Sequence, residues 1–245
     1  MSFYAPFSQY YDIIFPFRDD VFSFLRVHLS SPPKTVLDVG CGTGRYADRF
    51  TKDGFETIGI DLDSDMINFA RRHYAGTLFF CMNMTEMMSL QRTFDLIFCI
   101  GNVAAHLPHE LYGEFLRTVH QLLNPNGLWI FQVKNWDYIL KTQTYSFPDI
   151  ERKEQRIKFL RQYSDITKGK VKFNTTLEVK DKILFKDSVY LYPLKTAEYL
   201  RLHEMSGFNL IGHYSDFKKN KFIEAEDKAN IFVFKRQKML HERNI

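Results

Sequence analysis

Three glycines at alternate positions, preceded by a carboxylate, are the residues of this sequence that first suggest chemistry. The apolar stretch Val36-Leu37-Asp38-Val39 leads directly into Gly40-Cys41-Gly42-Thr43-Gly44. Glycine permits a tight turn and has no Cβ, so a ligand can lie directly on the backbone. The amide groups at the start of a following helix point into the same space. The stretch therefore predicts a site for a nucleotide-like cofactor.

Two classes of cofactor fit a glycine turn of this kind, and the spacing separates them. A nicotinamide or flavin dinucleotide requires G-x-G-x-x-G, in which the third glycine packs the helix on the strand. Arg45 occupies that third position here. Asp38 would repel a pyrophosphate, but it suits a ligand that carries an ammonium and a sulfonium. Both observations disfavour a dinucleotide and a nicotinamide-dependent oxidoreductase.

Strands that alternate with helices must position this turn. The predicted strands are Thr35–Val39, Glu56–Ile60, Leu78–Cys81, Phe94–Ile100 and Leu128–Val133. Helical spacing is found from Val21 to Leu29, after the glycines to about Lys52, from Asp65 to His73 and from Glu110 to Leu123. Such an order predicts an α/β fold with a parallel, doubly wound sheet.

The pattern changes after Glu151, where a charged stretch, Glu151–Arg161, indicates no particular element. Lys170–Val179 alternates strictly and Lys182–Tyr192 less so, which predicts antiparallel strands with one exposed face. Residues 151–193 hold 11 Lys and Arg against 6 Asp and Glu, a net charge of +5. That excess fits either a solvated face or attraction of an anionic substrate. A helix, Thr196–Met205, and two strands, Phe208–Tyr214 and Ile231–Lys235, follow, and we expect the second strand to end the sheet.

Composition restricts the class of protein. A net charge of +4 over 245 residues is too small to indicate nucleic acid. The three cysteines are far apart without CxxC spacing, which disfavours disulfides and zinc and favours a cytoplasmic location. The N-terminal segment lacks the apolar core of a signal peptide, and no apolar run is long enough to span a membrane. We expect one domain, 1–245, without a metal site.

The stretch from Val36 to Gly44 resembles motif I of the class I S-adenosylmethionine-dependent methyltransferases. The resemblance continues in order through Asp61, which ends the second strand, and through the fourth-strand segment Phe94–Ile100 and the loop Leu123–Gly127. It implies a Rossmann-like seven-stranded doubly wound sheet with an antiparallel β insertion before the last helix and strands. It also implies S-adenosylmethionine as the cofactor and S-adenosylhomocysteine as the product.

The same resemblance assigns cofactor-binding residues. Asp61 would accept both ribose hydroxyls through its two carboxylate oxygens; the alternative role of a helix N-cap is open to Asp63 or Ser64 instead. Tyr11 belongs to an aromatic N-terminal segment that would fold over the cofactor as a lid, or pack on the sheet edge as a helix. The full set is Tyr11, Asp38, Gly40, Cys41, Gly42, Gly44, Asp61, Leu62, Met66, Asn83, Met84 and Ile100.

Two loops carry a closer resemblance, to glycine and sarcosine N-methyltransferases and related small-molecule enzymes. They are Ile100–Leu107 and Lys134–Leu140, and both follow predicted strand ends, where ligands bind in open α/β sheets. His106 would take a proton from an ammonium nucleophile, and Asn102 would hold an amine or carboxylate. A structural histidine is the alternative for His106. The candidate substrate residues are Asn135, Trp136, Tyr138, Arg161 and Tyr190.

These observations predict an S-adenosylmethionine-dependent methyltransferase that acts on a small molecule, with an amine nitrogen as acceptor. An O-methyltransferase and a non-catalytic S-adenosylmethionine-binding protein are the alternatives. We expect a helical lid over residues 1–30 and a substrate cap over residues 150–193. We expect neither a nucleic acid nor a membrane as partner, and a homodimer is an open alternative for the oligomeric state.

Overall fold

The computed structural model describes residues 7–32 and 34–237. Its α-helices are α1 Ser8–Ile14, α2 Asp19–Arg26, α3 Arg45–Lys52, α4 Ser64–His73, α5 His109–Leu122, α6 Trp136–Thr142 and α7 Thr196–Met205. Its strands are β1 Thr35–Val39, β2 Glu56–Asp61, β3 Leu78–Cys81, β4 Phe94–Cys99, β5 Leu123–Lys134, β6 Ile150–Arg152, β7 Ile157–Ser164, β8 Val171–Val179, β9 Lys182–Leu191, β10 Phe208–Tyr214 and β11 Ala229–Arg236.

Seven strands form the central sheet in the order β10-β11-β5-β4-β1-β2-β3. The strands β1 to β5 run parallel, and β11 pairs antiparallel with both β5 and β10. The α/β sheet expected from the sequence is confirmed. The expectation that the last strand ends the sheet is wrong, because β11 inserts between β5 and the edge strand β10.

Alternate residues of the inner strands build two cores on opposite faces of this sheet. On β4, Leu96 and Phe98 join a core with α2 and α3, whereas Ile97 and Cys99 join a core with α5 and α7. All four side chains are fully buried. Strands covered on both faces need apolar residues at successive positions, which explains the apolar run from Leu96 to Cys99 in β4.

A second sheet of four antiparallel strands, β6-β7-β8-β9, is inserted between α6 and α7. Its apolar face packs against α1, where Phe7 and Ile14 join Phe159 and Leu177 in a third core. The antiparallel insertion expected from the alternating sequence is confirmed. The lid and cap roles expected for residues 1–30 and 150–193 stay predictions, and residues 1–6 lie outside the described residues.

Two segments form regular structure where the sequence pattern gave none. The aromatic N-terminal segment contains α1, and the charged stretch after Glu151 contains β6 and β7. The predicted polar tail after Arg236 lies outside the described residues from position 238 onward. Within the part of the chain that the structure describes, no helix has the length and apolarity needed to span a bilayer.

Candidate functional site

A cavity of about 960 Å³ lies at the carboxyl ends of the parallel strands, between the central sheet and the inserted sheet. Residues at the ends of β1, β2, β4 and β5 form one side, and the inner faces of β7, β8 and β9 form the other. Helix α1 closes a third side through Phe7, Tyr11 and Ile14. In open α/β sheets this edge is where ligands bind, because loops from several strands converge there.

Asp61 holds the glycine turn in place at the end of β2. Its Oδ2 accepts a hydrogen bond from the Gly42 amide at 2.8 Å, and its Oδ1 accepts one from the Asp63 amide at 2.9 Å. The capping role belongs to Asp63, whose Oδ1 accepts from the amides of Asp65 and Met66, both at 2.9 Å. Asp61 therefore stands at the cavity wall without serving as the N-cap of α4, and each of its oxygens retains a second lone pair.

Asp38 presents a buried carboxylate to the same part of the cavity. The side chain is 2% exposed, and its Oδ2 has no hydrogen-bond partner among the described residues. Burial, together with the nearby Asp61 carboxylate, raises the pKa of Asp38 well above its usual value. A buried carboxylate is stable when a cation or hydrogen-bond donors meet it. Asp38 thus provides a place for a positively charged group.

Helix α1 is attached to both sides of the cavity. Asp12 Oδ1 accepts a hydrogen bond from the Thr43 hydroxyl at 2.6 Å and pairs with Arg45 Nε at 3.0 Å. The Tyr11 ring lies 3.6 Å from the place where a Cβ on Gly42 would stand. Arg152 of β6 donates to the carbonyls of Ile13 and Ile14 at the end of the helix. The helix therefore connects the glycine turn to the inserted sheet.

Eleven of the twelve residues expected to bind the cofactor line this cavity; the exception is Gly44. Gly44 has a left-handed backbone with φ of +84°, and a Cβ there would stand 2.5 Å from the Phe79 ring. It therefore allows α3 to pack closely on β3, which is a packing requirement rather than a ligand contact. Its place in the cofactor set stays a prediction.

His106 faces the cavity from the 3-10 helix Val103–His106 that follows β4. No hydrogen-bond partner of its ring is found among the described residues. The side chain is exposed within the cavity, and desolvation by the protein around it lowers the pKa of His106 to about 4. The imidazole is therefore neutral at physiological pH, with one nitrogen available to accept a hydrogen bond.

Asn102 also lines the cavity, but part of its side chain is already used. Its Oδ1 accepts a hydrogen bond from the Lys134 amide at 2.8 Å, which ties the loop after β4 to the end of β5. The residue adopts a left-handed conformation with φ of 69°, which asparagine tolerates better than most residues. Its Nδ2 hydrogens and the second lone pair of Oδ1 remain for a ligand.

The loop after β5 is placed differently from the loop after β4. Asn135 is fully buried; its Oδ1 accepts from the Tyr138 amide, and its Nδ2 donates to the carbonyls of Glu224 and Asp227. Trp136 is also fully buried in the core under α6. Of the five candidate substrate residues, the cavity includes Arg161 and does not include Asn135, Trp136, Tyr138 or Tyr190.

Known proteins match both the sequence and the fold. Residues 36–127 match a family described as a methyltransferase domain. The chain is 27% identical over 215 residues to a glycine/sarcosine/dimethylglycine N-methyltransferase of Actinopolyspora halophila, with 82% of this chain and 35% of that protein aligned. The chain thus spans about a third of the length of that curated relative.

Solved structures extend the match to the whole fold. An S-adenosylmethionine-dependent methyltransferase of Clostridium acetobutylicum superposes with a TM-score of 0.81 at 16% identity, over 96% of this chain and 99% of that one. The amino pentose methyltransferase CalS10 of Micromonospora echinaspora, solved with S-adenosylmethionine bound, superposes with a TM-score of 0.65 at 17% identity, over 89% of each chain.

Residues 36–127 thus form a methyltransferase domain, and the chain has the fold of class I S-adenosylmethionine-dependent methyltransferases. Its cofactor is S-adenosylmethionine, and the residues present fit that group. The unpartnered Oδ2 of Asp38 offers an acceptor for a cationic ligand. The carboxylate of Asp61 lines the cavity beside it and can still accept hydroxyl hydrogens. Over the described residues, no group of three or more His, Cys, Asp or Glu side chains is placed to hold a metal.

This methyltransferase also has cavity residues that sequence reasoning did not find. Lys134 ends β5, and burial lowers its pKa to about 8. Aromatic and polar side chains of the inserted sheet complete the wall, among them Phe159, Phe173 and Thr175. Their two-residue spacing along β7 and β8 was the available signal, because alternate residues of a strand share one face.

Proposed function

We propose that this methyltransferase transfers the methyl group of S-adenosylmethionine to the nitrogen of a small-molecule amine. The observation that supports the proposal is one continuous cavity with two unlike ends. Asp38 and Asp61 line it at the glycine turn, and the aromatic inner face of the inserted sheet lines it opposite. A cofactor at the first end would leave room for a small molecule at the second.

The reaction asks mainly for alignment and exclusion of water. S-adenosylmethionine supplies an activated methyl group on a sulfonium. Asp38 would hold positive charge of the cofactor, and Asp61 would accept its ribose hydroxyls, while the Tyr11 ring covers the glycine turn. Placing donor and acceptor in one closed cavity fixes their geometry, which is a large part of catalysis for a displacement of this kind.

An amine must be neutral to act as the nucleophile, and the walls favour that form. The aromatic surroundings penalise a charged ammonium, which lowers the pKa of an amine bound there. His106 is neutral and can accept a hydrogen bond from the remaining N–H group. The names of two similar proteins, an N-methyltransferase of glycine, sarcosine and dimethylglycine and an amino pentose methyltransferase, agree with small polar acceptors.

A direct assay tests the proposed function. The protein is incubated with S-adenosylmethionine and a panel of small amines, matched alcohols and carboxylic acids, and S-adenosylhomocysteine is measured by mass spectrometry. Turnover with amines supports the proposal. Turnover restricted to alcohols would instead indicate an O-methyltransferase, and saturable S-adenosylmethionine binding without any turnover would indicate a non-catalytic binding protein.

Replacement of His106 tests its part in the reaction. We expect His106→Ala to lower kcat by about 10- to 100-fold, at the low end of what a positioned proton acceptor contributes, with little change in the affinity for S-adenosylmethionine. His73→Ala is the matched control, because His73 is exposed and lies outside the cavity. Full activity of His106→Ala would remove His106 from the mechanism.

A further inference from the structure

We call the part of the cavity that is lined by the inserted sheet the acceptor end. Two cationic side chains point into it without a carboxylate to pair with. Lys134 lies at the end of β5, and Arg161 lies in the middle of β7. Neither forms an ion pair with any carboxylate of the described residues. Asp149 acts on Arg161 only through space, and Lys228 adds a further positive field at Lys134. Buried or partly buried charges without partners are costly, so proteins rarely keep them without a use.

The two cations share one aromatic ring. Lys134 Nζ lies 5.4 Å from the centre of the Phe147 ring, and Arg161 Cζ lies 4.9 Å from the same centre. Lys134 also donates a hydrogen bond to the Tyr145 hydroxyl at 2.9 Å. Mutual repulsion contributes to the lowered pKa of Lys134, after burial. Two like charges held around one ring create a strongly positive spot in an apolar wall.

Polar atoms without partners mark the same spot on the inserted sheet. Arg161 and Thr175 stand directly opposite each other across β7 and β8. The Nε of Arg161 and the Oγ1 of Thr175 are both buried, and neither has a hydrogen-bond partner among the described residues. Thr175 is 3% exposed, and both residues line the cavity. Donors left open in this way are arranged to receive an acceptor group from a ligand.

The wall around these donors is aromatic. Phe147 packs against Tyr163 and Phe173 with ring centres 4.8 and 5.7 Å apart, and Arg161 lies over the Phe159 ring as well. Residues Phe147, Phe159, Tyr163 and Phe173 all line the cavity. Such a surface binds a flat or apolar body and excludes water from the cations beside it.

Opposite charges are kept apart within the cavity. Asp38 and Asp61 act on each other and on Tyr11, at the glycine turn. The groups that act on Arg161 are Tyr145, Tyr163 and Asp149 instead. The cavity carboxylates among the described residues are Asp38, Asp61, Asp63 and Asp216. Asp216 belongs to the loop after β10, accepts hydrogen bonds from Lys218 and Asn220 of its own turn, and acts on Arg18. Over the described part of the chain, no cavity carboxylate acts on Arg161 or Lys134, so these two side chains keep their positive charge.

We infer that the methyl acceptor carries an anionic group, a carboxylate or a phosphate, on an apolar or aromatic body. The anion binds between Lys134 of the central sheet and Arg161 of the inserted sheet, with Thr175 as a further donor. The body lies on the aromatic wall, and the nucleophile faces the glycine turn. The inference rests on the proposed function, since it assigns the substrate class of that same cavity.

Binding of simple probes tests the inference. Phenylacetate, phenylphosphate and the neutral phenylacetamide are titrated by ligand-observed NMR into the free protein and into protein saturated with S-adenosylhomocysteine. We expect at least one anion to bind about tenfold or more tightly than the amide, since a charged partner is worth that much in a partly buried site. The tighter of the two anions identifies the group that the cations prefer.

Three variants locate the effect. Lys134→Met and Arg161→Met should each abolish the preference for the anion while the affinity for S-adenosylhomocysteine stays within twofold of the unaltered protein. Lys170→Met is the matched control, because Lys170 borders β8 and lies 4.3 Å over the Tyr190 ring, outside the cavity. It should keep the full preference. Thermal unfolding of each variant checks that the fold is retained.

Several outcomes would overturn the inference. Equal binding of acid and amide, or no binding of any probe, would contradict it. Loss of S-adenosylhomocysteine affinity in Lys134→Met or Arg161→Met would assign the cations to the carboxylate of the cofactor itself. Failure of S-adenosylhomocysteine to bind the unaltered protein would instead sink the proposed function, so the two failures are distinguishable.

Discussion

Asp38 shows how a single residue can favour ligand binding at the expense of stability. Its carboxylate is buried beside Asp61, and one of its oxygens has no partner among the described residues. Both features disfavour the charged form and raise the pKa of Asp38. For an acid with a raised pKa, the stability present below its unfolded pKa is lost as the pH rises through its folded pKa. At neutral and alkaline pH the buried carboxylate therefore lowers the free energy of unfolding of the free protein.

Removing that charge should stabilise the free protein. We expect Asp38→Asn to raise the unfolding temperature at pH 8 by about 2–4 °C, the shift that corresponds to roughly 1 kcal/mol in a chain of this size. The gain should shrink as the pH falls below about 3.9, the ordinary aspartate pKa, because Asp38 is then protonated in both the folded and the unfolded state. Scanning calorimetry at several pH values measures both effects.

A carboxylate whose pKa is shifted in the opposite direction provides the control for that variant. Asp216 is a partly exposed carboxylate whose pKa is lowered, despite some desolvation, by hydrogen bonds from Asn220 and Lys218. Asp216→Asn should therefore not stabilise the protein at pH 8. A lower unfolding temperature for Asp38→Asn than for the unaltered protein, at every pH, would show that its carboxylate is satisfied in the folded state.

His203 is a buried histidine that the structure keeps neutral. Its Nδ1 donates to the Tyr199 carbonyl at 2.6 Å, and its Nε2 accepts from the Trp129 indole at 3.0 Å. Protonation of Nε2 would place its N–H group against the N–H group of the Trp129 indole. Burial lowers the pKa of His203 to about 3. Because the unfolded ring takes up a proton near pH 6.5, stability from this residue is present above that pH and is lost as the pH falls toward 3.

The variant His203→Phe should separate packing from titration. It keeps a ring in the stack between Phe131 and Phe234 but removes the acceptor of the Trp129 indole. We expect a loss of about 1–3 kcal/mol at pH 8. That loss should narrow by about 2 kcal/mol at pH 5, since the variant has no proton to take up. Urea unfolding at both pH values measures the difference, and a constant gap would contradict the assignment.

At the scale of elements, the turn between β1 and α3 depends on close packing as much as on ligand access. Gly44 lets α3 approach β3, where a Cβ would meet the Phe79 ring. Gly101 has a similar backbone, with φ of +78°, but no atom lies within 4 Å of its Cβ position. The pair therefore separates backbone strain from overpacking.

We expect Gly101→Ala to lower the free energy of unfolding by about 1–2 kcal/mol, the cost of a left-handed backbone for alanine. Gly44→Ala should lose a further ~1–3 kcal/mol because its methyl group overlaps Phe79. Urea unfolding of the free proteins gives both values. Equal losses would mean that Phe79 moves aside without cost.

The strands that the sequence predicted are those whose burial gives a regular pattern of apolar residues. Strands β1 to β5 alternate with helices, and β1, β2 and β4 are covered on both faces and carry buried apolar residues at successive positions. Strand β7 escaped prediction because Arg161 occupies an inward position after Ile157 and Phe159, which breaks its alternation. Arg161, which obscures the strand pattern, is also one of the two residues that give the acceptor end its positive charge.

The two ends of the cavity also differ in how well the sequence predicts them. The glycine end could be predicted because its residues follow consecutive strand ends and form a known motif. The acceptor end combines residues from β5, β7, β8 and the loop at Phe147, which lie far apart in the sequence. Only the folded chain shows that Lys134 and Arg161 meet there and that Asn135 and Trp136 do not face the cavity.

At the scale of the whole molecule, the cavity joins an acidic end at the glycine turn, where we propose that the cofactor binds, to a basic end at Lys134 and Arg161, where we propose that the acceptor binds. Helix α1 connects them, since it bonds to Thr43 and Arg45 on one side and to Arg152 on the other. The central sheet supplies the first end and the inserted sheet most of the second. A cofactor with a cationic centre and an acceptor with an anionic group would therefore be oriented by the same cavity.

The most direct test of this account is a calorimetric titration of S-adenosylmethionine into the unaltered protein and into Asp38→Asn. We expect one molecule bound per chain and an affinity at least about tenfold lower in Asp38→Asn, because the variant loses a buried charge opposite the cationic ligand. No binding to the unaltered protein, or equal affinity in the two proteins, would contradict the assignment of the glycine turn and Asp38 as the cofactor site.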